Sequence, residues 1–157
     1  MSEPRSGRVA SVNVSPGGVP KLPVAEQFVG RNGLTDDRHT EPEPSHGGPD
    51  QAVCLYSMEA IGRVVADGHT AFPGAFGENL TLAGIEMDSL AEGDRLRIGE
   101  DGLVIEMTWH AAPCKTQAHW FSDGRFARIS HKTHPEDARW YARVISEGPV
   151  RPGDAVR

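Results

Sequence analysis

Cys114 is the residue whose type and surroundings point most directly to chemistry. It follows Pro113 at the end of a run in which Leu103, Ile105, Met107 and Trp109 alternate with Val104, Glu106 and Thr108, the pattern of a strand with one core face. Lys115 to Phe121 can form a short helix, so the sulfur would lie at a helix N-terminus beside Lys115, and both features favour a thiolate. A thiolate is a nucleophile and a soft ligand for zinc, copper or molybdenum. The plain alternative is an idle cysteine that packs as a small hydrophobe.

Other groups offer weaker patterns. His110, Cys114 and His119 make an H-x3-C-x4-H spacing that a zinc site could use, with His39 and His46 as further contributors. Arg38-His39 and His46-Gly47-Gly48 combine cations with backbone N–H groups that glycine leaves open, a means of surrounding phosphate or another anion. Gly74-Ala75-Phe76-Gly77-Glu78-Asn79 sets a carboxylate and an amide beside flexible backbone, where they can hydrogen-bond a heterocycle. Each of these short stretches is also what an ordinary turn looks like.

The elements that must hold these residues read as follows. Residues 1 to 7 are polar and expected to be flexible, and 8 to 157 read as one domain. Val9, Val12 and Val14 mark a strand over Arg8 to Val14, ended by Ser15-Pro16-Gly17-Gly18, and Val24 to Val29 reads as a second strand. A loop of about 20 residues, Gly30 to Pro49, has no periodicity, and loops of that length inside domains are commonly functional. Ala52 to Tyr56 reads as a strand covered on both faces, which makes Cys54 an inert core thiol. Ser57 caps a helix with Met58, Ile61, Val64 and Val65 on one face and Gly68 as its stop. Short strands follow around Asn79 to Leu82 and Arg95 to Ile98. Many short strands between Gly and Pro turns, with few helices, predict a mainly β, barrel-like domain.

Composition removes several classes. No apolar run approaches the roughly 20 residues of a membrane span. Cys54 and Cys114, 60 residues apart, offer neither a disulfide scaffold nor a paired zinc ribbon, and a reducing, cytoplasmic setting is expected. The net charge of −6 argues against nucleic-acid binding. From Gln51 to Cys114 there are ten acidic and three basic residues, but from Lys115 to Arg157 there are eight basic and five acidic, so the last third can present a cationic surface to a small anion.

Taken in order, Ser15 to Lys21, Asp37-Arg38-His39, His46 to Val53, Gly77 to Thr81, Pro113-Cys114, and Tyr141 to Val144 before Gly153-Asp154 form a succession that resembles the MOSC domain, named for the C-terminal domain of molybdenum cofactor sulfurases, in its small stand-alone bacterial form. The resemblance runs from about Arg8 to Val156. It implies a β-barrel that binds a molybdenum cofactor, a phosphate-bearing pyranopterin, with Cys114 as thiolate ligand to the metal and catalytic residue. By the same resemblance Lys21, Arg38, His39, His46, Gly47 and Gly48 would serve the phosphate or pterin. Asp50, Gln51, Glu78 and Asn79 would serve the polar ring atoms, with Tyr141 and Arg143 nearby. Where family members often have Gly-Asp-Arg, this chain has Asp36-Asp37-Arg38, an added negative charge beside the proposed anion site.

The reaction the resemblance implies is molybdenum-dependent reduction of N-hydroxylated small molecules, with a separate flavoprotein or iron-sulfur protein as electron donor. The alternative is a carrier of the cofactor, or of sulfur as a Cys114 persulfide, served by a separate sulfurtransferase. No pyridoxal phosphate is expected on this chain, and neither nucleic acid nor membrane is expected as a partner.

Overall fold

The first strand, β1 (Gly7–Val14), buries Val9 and Val12 completely, and its small polar residues Ser11 and Asn13 turn toward buried partners instead of solvent. This computed structural model describes residues 5–38 and 48–157. Arg5 already bonds Asp94 at 2.8 Å, and Gly7 pairs with Val156, so the chain joins the barrel from its first described residues.

The strands that follow are β2 (Leu22–Val24), β3 (Gln27–Gly30), β4 (Gly33–Leu34), β5 (Val53–Ser57), β6 (Leu80–Ala83), β7 (Arg95–Ile98), β8 (Leu103–Ala111), β9 (Arg139–Ser146), β10 (Gly148–Val150) and β11 (Ala155–Val156). Sheet order β11-β7-β8-β9-β5-β6-β1 closes through β1 against β11 into a seven-stranded barrel, and β2 is added on the outer side of β1. A smaller sheet, β10-β3-β4, packs beside it. The expected single strand over Val24 to Val29 is therefore two strands in two sheets. Pro23 has no N–H to donate, which suits β2 to its edge position.

One α-helix, α1 (Met58–Ala66), and five short 3-10 turns complete the described residues. The Ser57 hydroxyl accepts the Ala60 N–H at 3.0 Å, the capping that the sequence signals. The helix buries Ala60, Ile61 and Val64, and full burial of a branched side chain contributes roughly 1.5–3 kcal/mol.

Two apolar clusters result. The barrel interior holds Val9, Leu55, Leu80, Leu82, Leu96, Ile105, Met107 and Trp140. A second cluster joins Tyr56, Ile61, Val64 and Phe76 to Phe121 and Ile129, and Phe121 stacks on Phe76 with ring centroids 5.4 Å apart. That second cluster anchors the excursion between β8 and β9, the segment that carries Cys114. Among the described residues no helix is long and apolar enough to cross a membrane.

Candidate functional site

Where the barrel meets the excursion after β8 there is a cavity of about 470 Å³, a volume typical of small-molecule sites. Its wall includes residues distant in sequence: Gly18, Lys21 and Arg38 from the N-terminal part, Gln51 and Cys54 near β5, Phe76 and Asn79, then Cys114, Thr116 and Gln117, and Arg139 and Tyr141 from β9.

Cys114 is half-buried and precedes a 3-10 turn, Lys115–Trp120. Its N–H donates to Gln117 Oε1 at 3.0 Å, and Gln117 Nε2 donates to the Phe76 carbonyl at 2.8 Å. Arg139 Nη1 donates to the same carbonyl at 2.7 Å, and Nη2 donates to the Ala112 carbonyl at 2.9 Å. The loop around Cys114 is thus fixed from both sides. The Cys114 thiol titrates below the ordinary range, first because the Thr116 side chain hydrogen-bonds it, then through the Thr116 N–H, with the Arg139 charge adding to both. The shift runs in the expected direction, with Thr116 as its main cause in place of an α-helix dipole or the Lys115 charge.

Cys54 is the buried core thiol that the sequence predicts, and it also borders the cavity. Burial pushes it up to about 11, with the Arg139 guanidinium beside it. Its partner across β5 and β9 is Tyr141, whose phenol burial pushes up to about 12.

The cavity floor is a chain of polar contacts. Lys21, itself buried, donates Nζ to both Asp37 oxygens, at 2.7 and 2.6 Å. Asp37 also accepts from the Ser15 N–H and from Asn79 Nδ2, both at 2.9 Å, and Asn79 Oδ1 accepts from the Cys54 N–H at 3.0 Å. The added acid of Asp36-Asp37 is absorbed here: Asp37 is clamped inside, and Asp36 turns away to accept from Gln27 Nε2 at 2.8 Å.

Of the residues implied by resemblance, Lys21, Arg38, Gln51, Asn79, Cys114 and Tyr141 line one cavity. Glu78 lies fully buried outside that lining, accepting from the Thr81 hydroxyl at 3.1 Å, and burial raises its carboxyl above the usual range. Asp50 and Arg143 pair with each other at 3.0 Å outside the lining, and Arg143 also holds Glu106 at 2.8 Å. Gly48, at φ 83, opens the turn Pro49–Gln51 that delivers Gln51. His39, His46 and Gly47 lie outside the described residues. The zinc spacing does not assemble: His110 stacks on His131 at 4.4 Å and lies tilted against Trp140 at 4.0 Å, and His119 packs on Trp120. Among the described residues no three His, Cys, Asp or Glu converge as metal ligands.

Sequence reasoning missed Arg139, Thr116, Gln117 and Phe76. Two signals existed: Arg139 and Tyr141 are two apart on a strand and so share a face, and Cys114 to Gln117 has the spacing of a capping box. Phe76 acts through its carbonyl, which no side-chain pattern announces.

The model of the MOSC domain family matches residues 42–157. The chain belongs to the MOSC domain family. That family is associated with molybdenum cofactor binding. Similar MOSC relatives include the Bacillus subtilis protein YflK, 33% identical over 69% of this chain, and Escherichia coli YiiM, 30% identical over 86%. The chain spans only 48% and 60% of the lengths of those two proteins. Among solved structures, YiiM from Geobacillus stearothermophilus superposes with a TM-score of 0.69 at 26% identity, over 96% of this chain and 73% of that one. The YUAD protein of Bacillus subtilis shares the fold at 13% identity, TM-score 0.74, over 96% of this chain and 94% of that one.

Proposed function

We propose that this chain holds a molybdenum cofactor in the cavity, with Cys114 as the protein's ligand to the metal, and that it reduces N-hydroxylated compounds such as hydroxylamino-purines, amidoximes or hydroxylamines. The observation that carries the reading is a half-exposed, thiolate-prone Cys114 in one wall of a MOSC cavity whose other walls present Arg38, Gln51 and Arg139. The lining fits such a group chemically. A soft sulfur donor is available, Gln51 Oε1 is buried without a partner, and Arg38 supplies positive charge at an exposed position.

When bound, the cofactor supplies two-electron oxygen-atom-transfer chemistry. The chain's own residues do the rest. Thr116 and the Arg139 charge lower the Cys114 thiol and so favour the thiolate that ligation needs, and Gln117 fixes its backbone. Arg38 would attract the phosphate and Gln51 would bond the heterocycle. Tyr141 retains its proton at neutral pH and can donate a hydrogen bond into the cavity. Electrons would come from a separate flavoprotein or iron-sulfur protein.

The test is turnover. Protein from a cofactor-competent host, supplied with an artificial electron donor, should convert a hydroxylamino-purine to the amino-purine, and Cys114→Ala should lower kcat/KM by about a hundredfold or more. Molybdenum-loaded wild-type protein that reduces no N-hydroxylated compound would remove the reductase assignment.

A further inference from the structure

Trp109 reads in the sequence as the last residue on the core face of β8, yet 43% of it is exposed. A single exposed apolar side chain is ordinary on a protein surface. The place of this one in the strand ladder is not. β8 and β9 pair at Met107 with Ala142 and again at His110 with Trp140, so two residues of β8, Thr108 and Trp109, lie opposite the single residue Tyr141. That count defines a β-bulge, which bends a strand and re-aims a side chain, and bulges are frequent beside active sites.

The bulge decides where the indole goes. Leu103, Ile105 and Met107 are buried in the barrel, and unbroken alternation would send Trp109 in after them. Instead His110 takes the place beside Trp140, with ring centroids 4.0 Å apart, and Trp109 stays on the outer face with Tyr141, which borders the cavity. The Thr108 hydroxyl holds the bulge by donating to the Asp50 carbonyl at 2.8 Å, and Asp50 belongs to the turn Pro49–Gln51 that brings Gln51 to the cavity. Ala112, three residues further along, also lines the cavity. Trp109 therefore stands beside the lining, between groups that belong to it. An indole fixed in that position offers a planar face on which an aromatic ring can stack and leave water.

We propose that Trp109 is a stacking platform at the rim of the cavity and selects N-hydroxylated compounds that carry an aromatic ring over aliphatic ones. The proposal rests on the reductase reading for the N–O group and takes from the bulge the choice among substrates. Trp109 holds the ring and moves neither electrons nor protons, so its loss weakens binding and leaves the chemical step as it was.

The test compares benzamidoxime with acetamidoxime, reduced by the cofactor-loaded full-length chain with an artificial electron donor. Trp109→Ala should raise KM for benzamidoxime about tenfold with kcat unchanged, and should leave both constants for acetamidoxime unchanged. Trp109→Phe should recover most of the loss. Molybdenum content should be the same in all three proteins. Benzamidine, the reduction product, supplies a readout without turnover: it should quench tryptophan fluorescence saturably in wild type and leave it unaltered in Trp109→Phe, which keeps Trp120 and Trp140. Wild type that reduces neither amidoxime removes the reductase reading, and the quenching then still judges the platform. The proposal is overturned if Trp109→Ala changes both amidoximes equally, if kcat falls while KM stays, if wild type shows no quenching or Trp109→Phe keeps it, or if only turnover with a protein electron donor suffers, which would make Trp109 a docking contact.

Discussion

Two cysteines border one cavity, and their thiols are shifted in opposite directions. Thr116 lowers the Cys114 thiol, whereas burial pushes Cys54 up to about 11. The difference has a direct chemical readout, because alkylating reagents attack the thiolate. Iodoacetamide at pH 7 should therefore modify Cys114 alone in the folded, cofactor-free chain, with Cys54 reacting only as the pH approaches 11 or after unfolding. Mass spectrometry of the labelled peptides decides, and equal labelling at pH 7 would contradict the assignment of states. Thr116→Val should slow the Cys114 reaction at pH 7, since it removes the hydroxyl named as the main cause.

At the scale of elements, the turn that brings Phe76, Gly77 and Asn79 to the cavity depends on Gly74. Its φ is +90, its carbonyl accepts the Lys21 N–H at 2.8 Å, and a Cβ there would collide with the Lys21 carbonyl. Gly74→Ala should cost about 2 kcal/mol or more, combining a disfavoured conformation with displacement of Lys21. Urea denaturation measures it, and a loss below about 0.5 kcal/mol would show that the turn tolerates a side chain. Most elements around this turn were legible in the sequence. Helix α1 had its cap and periodicity, β8 had its alternation, and β5 was a continuous apolar run. What was not legible has physical causes. Pro23 and the two residues after β2 send the chain from one sheet to another, a decision made by pairing partners far away in sequence. Cys54 reads as core because it is core, and only the curvature of the barrel leaves it bordering a cavity. Arg139 carries no motif, and its importance comes from which carbonyls it meets and which carboxylates it does not.

For the whole molecule, buried titratable groups set how stability changes with pH. Burial raises Glu78 above its ordinary 4.5, so the folded chain holds this proton at pH values where the unfolded chain has released it. The contribution of Glu78 is thus full below 4.5 and is lost as pH climbs through the folded-state value. His110 acts in the opposite direction. Burial, then the neighbouring His131, lowers it from 6.5, so its contribution is present above 6.5 and is lost as pH falls through the depressed value. Glu78→Gln should stabilise the protein at pH 7 by on the order of 1 kcal/mol, and that gain should vanish at pH 4. Denaturant curves at the two pH values check the sign, and a gain at pH 4 equal to that at pH 7 would mean that protonation of Glu78 is not the cause.

Metal content weighs these scales together, because ligation needs an ionised sulfur, a loop held by Arg139 and Gln117, and a barrel that leaves the cavity open. The decisive measurement is the molybdenum-to-protein ratio, by elemental mass spectrometry, of wild type, Cys114→Ala and Cys54→Ala purified from a cofactor-competent host. The account predicts about one molybdenum per chain in wild type and in Cys54→Ala, and none in folded Cys114→Ala. Zinc in place of molybdenum, or molybdenum that survives loss of Cys114 and disappears with Cys54, would contradict it.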